Sequence, residues 1–295
     1  MAKARAIVKR RKSVRNIKKI THTMQLIATA RFQKALQRAV ATKPYTQKIT
    51  ELVGQLSAAG GSIEHPLLKV NRGANRVAVL VLTSNRGLCG GYNASLLRTA
   101  GAHLQDVRQA GTGIDLNVVG KKGIAYYKFL GTPVARAYAK LPDAPQFADV
   151  EPLADGFIKA YSAGVFDAVY VTYVRFVSTV KQVPTVMQLL PIAQEEPPTA
   201  TAGSRGPRRE VQYDFSPSPQ ELLAELLPQT IKVRLFQSFC DATVSEQVAR
   251  MVAMKAATDA AGDMIKQLSR QYNRARQSQI TMELLDILGG VEALK

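Results

Sequence analysis

The sequence is poor in several residue types, and each scarcity excludes a class of protein. Of its 295 residues only two are cysteine, Cys89 and Cys240, which lie far apart in the chain. We therefore expect no disulfide framework and no paired-cysteine metal site. No run approaches the ~18 apolar residues of a membrane-spanning helix, and no apolar segment follows the basic N-terminus. We accordingly expect neither a transmembrane span nor a secretory signal.

Aromatic residues are also few. Tryptophan is absent and aromatic residues make up 6% of the chain, whereas hydrophobic residues make up 46%. This composition supports a substantial core and favours helices over a β-sandwich. The sequence also lacks histidine, cysteine and carboxylate clusters with metal-ligand spacing, so we predict no metal site.

Acidic residues are missing from the first fifty positions, which contain 14 Lys and Arg and no Asp or Glu before Glu51. Such a segment seeks an acidic surface, either phosphate or a group of carboxylates. One hypothesis is therefore a coiled-coil protein that binds nucleic acid. The scarcity of aromatic side chains on which bases could stack argues against this hypothesis. Only Phe32 and Tyr45 lie in this region, and they are isolated from each other.

Proline and glycine are absent between Lys3 and Lys43, which predicts one long helix over residues 5–57. An apolar seam is predicted along it from spacings of three and four residues, formed by Ile17, Ile20, Met24 and Ile27. A second long helix is predicted from Ser218 onward. Its seam follows the same spacing, with members Val244, Val248, Met251, Met254, Thr258, Ala261, Ile265, Leu268, Tyr272 and Ala275.

The middle of the chain has a pattern of alternating strands and helices. Short runs rich in β-branched residues alternate with helical stretches, which predicts a mostly parallel sheet. The predicted strands lie at Arg76–Thr83, Leu116–Val119, Ala168–Phe176 and Thr185–Pro191, and the helices at about 93–110, 121–130 and 150–163. We expect an N-terminal coiled-coil helix (1–60), a central Rossmann-like α/β domain (70–195), a linker (196–217) and a C-terminal coiled-coil helix (218–295). The end helices would pair antiparallel.

Two glycine-containing turns of the α/β domain could suggest a nucleotide site. Ser84–Asn93 follows the first strand, and residues 120–123 (GKKG) follow the second. Neither has the spacing of a dinucleotide or phosphate-binding loop, so structural turns are the favoured interpretation. An enzyme built on this domain is a second open hypothesis. We predict no catalytic and no cofactor-binding residues.

The C-terminal segment has an apolar stripe with few charges around it. An apolar surface at the end of a long helix suggests a socket in a partner. Its members are Ile280, Leu284, Ile287, Val291 and Leu294.

Several segments, in order along essentially the whole chain, resemble the γ subunits of F-type ATP synthases. They are Ile17–Phe32 (IKKITHTMQLIATARF), residues 86–93 (RGLCGGYN), Phe176–Pro191, Ser245–Gly262 and Tyr272–Leu285 (YNRARQSQITMELL). The resemblance implies a non-catalytic rotor, the central stalk that couples proton translocation to ATP synthesis and hydrolysis on a hexamer of α and β subunits.

The resemblance also implies partners and contact residues. The partners are the α, β and ε subunits and the c-ring, with no nucleic acid, and the location is peripheral on the cytoplasmic side of a bacterial inner membrane. The residues expected to contact the α/β hexamer are Arg10, Arg11, Lys18, Lys19, Met24, Arg276, Gln277, Thr281 and Glu283. The basic loop Arg205–Arg209 is longer than the family pattern, and the resemblance assigns it no role.

Overall fold

The structure, a computed structural model, describes residues 2–59, 65–71, 73–192 and 219–293. The chain divides into two compact units. The helix-pair unit comprises Met1–Ala30 and Ala249–Lys295, and the α/β unit comprises Arg31–Val248. Helix α1 (Ala2–Ala59) and helix α5 (Pro219–Ala293) each contribute residues to both units. No helix in the described residues is long and apolar enough to cross a membrane.

The α/β unit is built on a five-stranded sheet with the order β3-β2-β1-β4-β5. Its strands are β1 (Arg76–Leu82), β2 (Gly113–Val119), β3 (Arg136–Tyr138), β4 (Ala168–Phe176) and β5 (Gln182–Leu190). β1, β2, β3 and β4 run parallel, and β5 pairs antiparallel with β4. Six of the seven β1 residues are buried, as expected for a parallel strand covered on both faces. The predicted mostly parallel sheet is confirmed.

Three helices connect these strands: α2 (Tyr92–Gln109), α3 (Lys121–Phe129) and α4 (Phe147–Ser162). The start of α4 shows how the local sequence sets an element boundary. The backbone N–H of Gln146 donates to Asp149 Oδ2 at 2.8 Å, and Asp149 is the third residue of the helix. This bond satisfies an amide at the start of the helix that has no partner within it.

The core of the α/β unit includes residues from the sheet and from α1, α4 and α5. Helix α5 is enclosed most completely, since residues 226–248 include no exposed residue. The α1 residues in the same unit alternate: Phe32, Leu36 and Ala39 pack on the core, while their neighbours Gln33, Lys34 and Gln37 are exposed.

In the helix-pair unit, α1 and α5 pack antiparallel. The Arg11 guanidinium lies 5.2 Å from the centre of the Tyr272 ring, and the hydroxyl oxygens of Thr21 and Thr258 are 2.8 Å apart. Because higher positions on α1 meet lower positions on α5, the two helices run in opposite directions. Their shared core contains the buried side chains Val14, Ala261 and Leu268, with Ile7 and Ile265 packed against them. The predicted antiparallel pairing is confirmed.

The predicted seam of α1 is wrong. Ile17, Ile20 and Ile27 are 51%, 59% and 49% exposed, and Met24 is only partly buried. A stripe of positions seven apart is covered better: Val14 and Ala28 are buried, and Ile7 and Thr21 are partly buried, as Met24 is. The prediction failed because α1 has two stripes with coiled-coil spacing, and the helix pair uses the one with smaller, more polar side chains. On α5 the predicted seam is confirmed, with Met254, Thr258, Ala261 and Leu268 buried.

The predicted four-part division of the chain remains a prediction. Its linker, residues 196–217, lies outside the described residues, as does the basic loop Arg205–Arg209.

Candidate partner-binding surfaces

The outer surface of α1 in the helix-pair unit is strongly basic. Residues 1–30 contain nine Lys and Arg and no acid, whereas residues 249–293 of α5 contain six Lys and Arg and five Asp and Glu. Of the predicted basic contact residues, Arg10, Lys18 and Lys19 are exposed and Arg11 is partly buried. Arg11 and Lys18 are turned toward α5: the first covers the Tyr272 ring, and the ammonium of the second lies over Gly262, 3.3 Å from where a Cβ would stand.

An isoleucine stripe (Ile17, Ile20 and Ile27) runs beside these cations. Each of its side chains is about half exposed, and the partly buried Met24 lies within the stripe. Since the α1–α5 seam does not use them, these side chains present apolar surface to the outside of the helix pair. An apolar stripe bordered by positive charge suits a partner with an apolar centre and an acidic rim.

The other predicted contact residues lie near the C-terminal end of α5. Arg276, Gln277, Thr281 and Glu283 are all exposed. Thr281 Oγ1 donates to the Gln277 carbonyl at 3.0 Å, and Glu283 Oε1 accepts from Gln279 at 2.8 Å. These bonds stay within α5 and leave the charged and amide groups available to a partner.

The apolar end segment (280–288) follows directly. Ile280, Leu284 and Ile287 are half exposed or more, and every residue from 281 to 290 is exposed. Other large apolar side chains are also uncovered here: Met282, Leu285 and Leu288. The uncovered apolar surface is therefore wider than the regularly spaced stripe. The side chain of Val291 and all of Leu294 lie outside the described residues.

The two glycine-containing turns that could suggest a nucleotide site, one after β1 and one after β2, are hydrogen-bonded to each other. The first three amides of α3, which would face a phosphate, all donate to the turn after β1. Lys121 N–H donates to Asn85 Oδ1, Lys122 N–H to the Ser84 carbonyl and Gly123 N–H to Thr83 Oγ1, at 3.2, 3.1 and 2.9 Å.

Two glycines make this contact possible. Gly120 has a φ of +92°, and a Cβ there would lie 2.2 Å from the Thr83 carbonyl oxygen. A Cβ at Gly123 would lie 2.6 Å from Thr83 Oγ1. The glycines therefore allow two turns to touch, and the Thr83 side chain fills the space between them. This arrangement supports the structural interpretation of the GKKG turn.

A small cavity of about 40 Å³ lies beside this contact. Its lining includes Asn85 and Tyr92 together with two carboxylates, Asp143 and Glu246. Ligand pockets are typically about 300–1,000 Å³. The cavity is thus far too small for a nucleotide, and its carboxylates would repel phosphate.

The cysteines do not form a reactive site. Cys89 is buried, and its Sγ accepts from Asn93 Nδ2 at 3.3 Å. Burial raises the pKa of Cys240 to about 12, which keeps its thiol protonated and unreactive at neutral pH. Across the described ranges, no group of three or more His, Cys, Asp or Glu side chains is placed to hold a metal ion.

A junction at Asp143 was not anticipated from the sequence. The Asp143 carboxylate lies 3.2 Å from Arg86 and 3.6 Å from Arg31, and it accepts from Asn85 Nδ2 at 3.2 Å. It therefore joins α1 to the turn after β1. The sequence offered no signal for it, because Arg31 and Asp143 lie more than fifty positions from Asn85 and Arg86.

The fold and its surfaces define a class of protein. The α/β unit has a closed turn where a related fold would bind phosphate, and the helix-pair unit presents basic and apolar surfaces suited to partners. Such a chain is a structural subunit that acts through contacts with other chains.

Comparison with known proteins identifies the family. A family model described as ATP synthase matches residues 3–294. An ATP synthase gamma chain of Rhodopirellula baltica is 50% identical over the full length of both chains, and one of Leptospira biflexa is 39% identical, also over the full length of both. The chain belongs to the ATP synthase gamma chain family, as the sequence resemblance predicted.

Solved structures show the same fold. The rotor of the Euglena gracilis mitochondrial ATP synthase contains a chain with a TM-score of 0.63 and 17% identity, over 95% of this chain and 99% of that one. A central-stalk chain of the Tetrahymena thermophila mitochondrial ATP synthase has a TM-score of 0.57 and 20% identity, over 81% of this chain and 99% of that one. The predicted function, the rotor stalk of an ATP synthase, is that of this family, and the chain is a subunit rather than a catalyst.

Proposed function

We propose that this chain works as the central stalk of a bacterial F-type ATP synthase by presenting chemically different sides of its helix pair to a hexamer of α and β subunits. The supporting observation is the contrast between α1, which is basic and carries the isoleucine stripe, and the nearly neutral α5 beside it. As the stalk turns, each surrounding subunit meets a different side. Differential contact with two conformations is what shifts the equilibrium between them.

The basic face and the isoleucine stripe would contribute differently. Arg10 and Lys19 are exposed and would meet acidic loops of the hexamer, giving orientation and partner choice more than affinity. Ile17, Ile20 and Ile27 would be covered when a subunit closes on them. Because each side chain is already about half covered, burying the rest would stabilise a contact by roughly 1 kcal/mol. Met24 lies among these isoleucines and would be covered by the same closing subunit.

The end of α5 would provide two further contacts. Arg276, Gln277, Thr281 and Glu283 present groups that can hydrogen-bond to the hexamer at fixed positions. The apolar end segment (280–288) would turn inside an apolar socket. Hydrophobic contact has no preferred direction, so such a socket holds the axis while resisting rotation little.

The α/β unit would bind the ε subunit and the c-ring, which places the chain peripherally on the cytoplasmic side of the bacterial inner membrane. The ε and c-ring contacts are carried over from the family resemblance.

Deletion of residues 280–295 tests the proposal in the complete complex. The chain is co-expressed with its α and β subunits, and assembly and ATP-driven proton pumping are measured. Assembly should persist because the basic face remains, while pumping should fall several-fold because the axis is less well held. Replacing Val180, an exposed residue of the β4–β5 turn, by Ser serves as the control and should leave pumping unchanged.

Full pumping by the truncated chain would refute the role of the end segment as a bearing. Failure of the intact chain to enter a complex with α and β would refute the rotor proposal as a whole. In that case, tight and steeply salt-dependent binding to DNA would favour the nucleic-acid hypothesis instead.

A further inference from the structure

Helix α5 is the enclosed helix of the α/β unit. Leu227, Ile231 and Leu235 are 0% exposed, and residues 226–248 include no exposed position. Helix α1 in the same unit contacts the core along one side only. Of the two long helices, α5 is therefore the more completely surrounded in this unit.

Apolar side chains packed closely around α5 hold it in place and resist its rotation. The hydrophobic effect itself depends on the area removed from water and not on direction, so it opposes little a small change of angle that keeps the same area buried. Charged hydrogen bonds have defined lengths and angles, so they fix orientation more closely. The polar contacts of α5 in this unit are thus the groups that would set its rotational angle.

Lys232 makes two short charged contacts of this kind. Its Nζ lies 2.8 Å from Glu151 Oε1 and 2.9 Å from Asp155 Oδ1, two carboxylates one turn apart on α4. The Lys232 side chain is only 16% exposed. Hydrogen bonds to Glu151 and Asp155 raise the pKa of Lys232, so its charge is kept at physiological pH.

Neighbouring contacts hold α5 from other sides. Ser245 Oγ donates to the Val174 carbonyl of β4 at 3.0 Å, and Tyr92 Oη on α2 donates to the Ala242 carbonyl at 3.3 Å. The rings of Phe147 on α4 and Phe236 on α5 meet edge to face, with centroids 5.7 Å apart. Directional contacts therefore reach α5 from α2, α4 and β4.

We propose that Lys232 is a positioning residue. Its ion pairs with Glu151 and Asp155 fix the angle of α5 about its own axis within the α/β unit. This inference rests on the proposed rotor function. Because α5 is one continuous helix from Pro219 to Ala293, a twist at Lys232 is passed along its length. Without the contacts of Lys232 with Glu151 and Asp155, the angle of α5 within the α/β unit would be fixed less precisely.

Single-molecule rotation of the complete ATP synthase tests the inference. A probe is attached through Val180→Cys, since Val180 is 93% exposed whereas the native cysteines, Cys89 and Cys240, are buried. In Lys232→Met the spread of probe angles at each pause should widen about twofold, because two carboxylates lose their shared cation. ATP-driven pumping against an opposing gradient should fall more than ATP hydrolysis.

Two variants separate this role from general stabilisation. Lys232→Arg keeps the charge and should restore a narrow spread. Lys159→Met removes an exposed lysine of α4 and should leave the spread unchanged. A purely structural loss would lower the number of rotating molecules without widening their pauses.

The outcomes are distinguishable. A spread in Lys232→Met no wider than in Lys159→Met overturns the inference. Absence of rotation in the complex with the unaltered chain overturns the proposed function itself. If Lys232→Met does not assemble, Glu151→Gln, which keeps the pair of Lys232 with Asp155, should give a smaller widening, and an unchanged spread there also overturns it.

Discussion

The two units of this chain differ in how they cover their apolar side chains. The α/β unit encloses a continuous core made from the sheet, α4 and stretches of α1 and α5. The helix-pair unit buries only a narrow seam, in which Val14, Ala261 and Leu268 form one small apolar cluster. Meanwhile it leaves large apolar residues uncovered on both helices. One unit is stabilised by its own interior, and the other has its apolar surface ready for partners.

Helix α5 shows the contrast within a single element. Residues 226–248 have no exposed member, and residues 281–290 have no buried one. The first stretch is enclosed by the rest of its own unit, whereas an uncovered apolar end suggests a socket in a partner. The difference teaches that apolar residues at one end of α5 contribute to the fold and those at the other end contribute to function.

The largest expected effect compares two isoleucines of α5. Ile231→Ala removes a fully buried side chain and should lower the free energy of unfolding of the α/β unit by about 2–5 kcal/mol. Ile287→Ala truncates a side chain that is 68% exposed, and it should change the free energy of unfolding by less than about 0.5 kcal/mol. Denaturant unfolding of the isolated full chain measures both. Equal losses of stability in the two variants would show that both ends of α5 contribute to the fold alike.

Sequence reasoning found what periodicity and composition encode. The run RVAVLVL gave β1, because a strand covered on both faces must be apolar throughout. The seam of α5 was found because Met254, Ala261 and Leu268 are the regularly spaced apolar residues there. The short strand β3 was missed, since its three residues, RAY, are too few to show a pattern.

The remaining features depend on tertiary contacts that no local pattern contains. On α1 the strongest apolar stripe was assigned to the helix pair, although small side chains such as Ala28 allow closer approach and form the actual seam. The contact of Thr83 with Gly120 and Gly123, and the grip of Lys232 on α4, join residues about 40 and 80 positions apart. Spacing within one element cannot reveal them.

A second test raises the pH, which should destabilise the α/β unit. Desolvation by burial raises the pKa of Cys240 from 9.0 to about 12. Above pH 9 the unfolded chain releases this proton while the folded chain retains it, so stability falls as the pH rises. The loss approaches about 1.4 kcal/mol per pH unit between these two values.

Measurements between pH 8.5 and 10 separate Cys240 from the groups that titrate later. Burial also raises the pKa of Tyr127, from 10.0 to about 12, so its contribution begins only near pH 10. A Cys240→Ala variant should lose less stability over this interval than the unaltered chain, although it starts lower. Identical slopes for the two chains would show that the thiol ionises equally in both states.

The smallest expected effect lies in the seam of the helix pair. Thr258 is buried, and its Oγ1 is 2.8 Å from both Thr21 Oγ1 and the Met254 carbonyl. Thr258→Val keeps the shape and removes the hydroxyl, which should weaken the pairing by about 0.5–1.5 kcal/mol. Hydrogen exchange should quicken about 2- to 10-fold in residues 11–28 and 251–268, with little change in the α/β unit. Thr23→Val, at an exposed position of α1, is the matched control and should leave exchange across the pair almost unchanged. Slower exchange in Thr258→Val would mean that the seam is held by apolar contact alone, and the helix-pair unit would then differ from the α/β unit only in the size of its core.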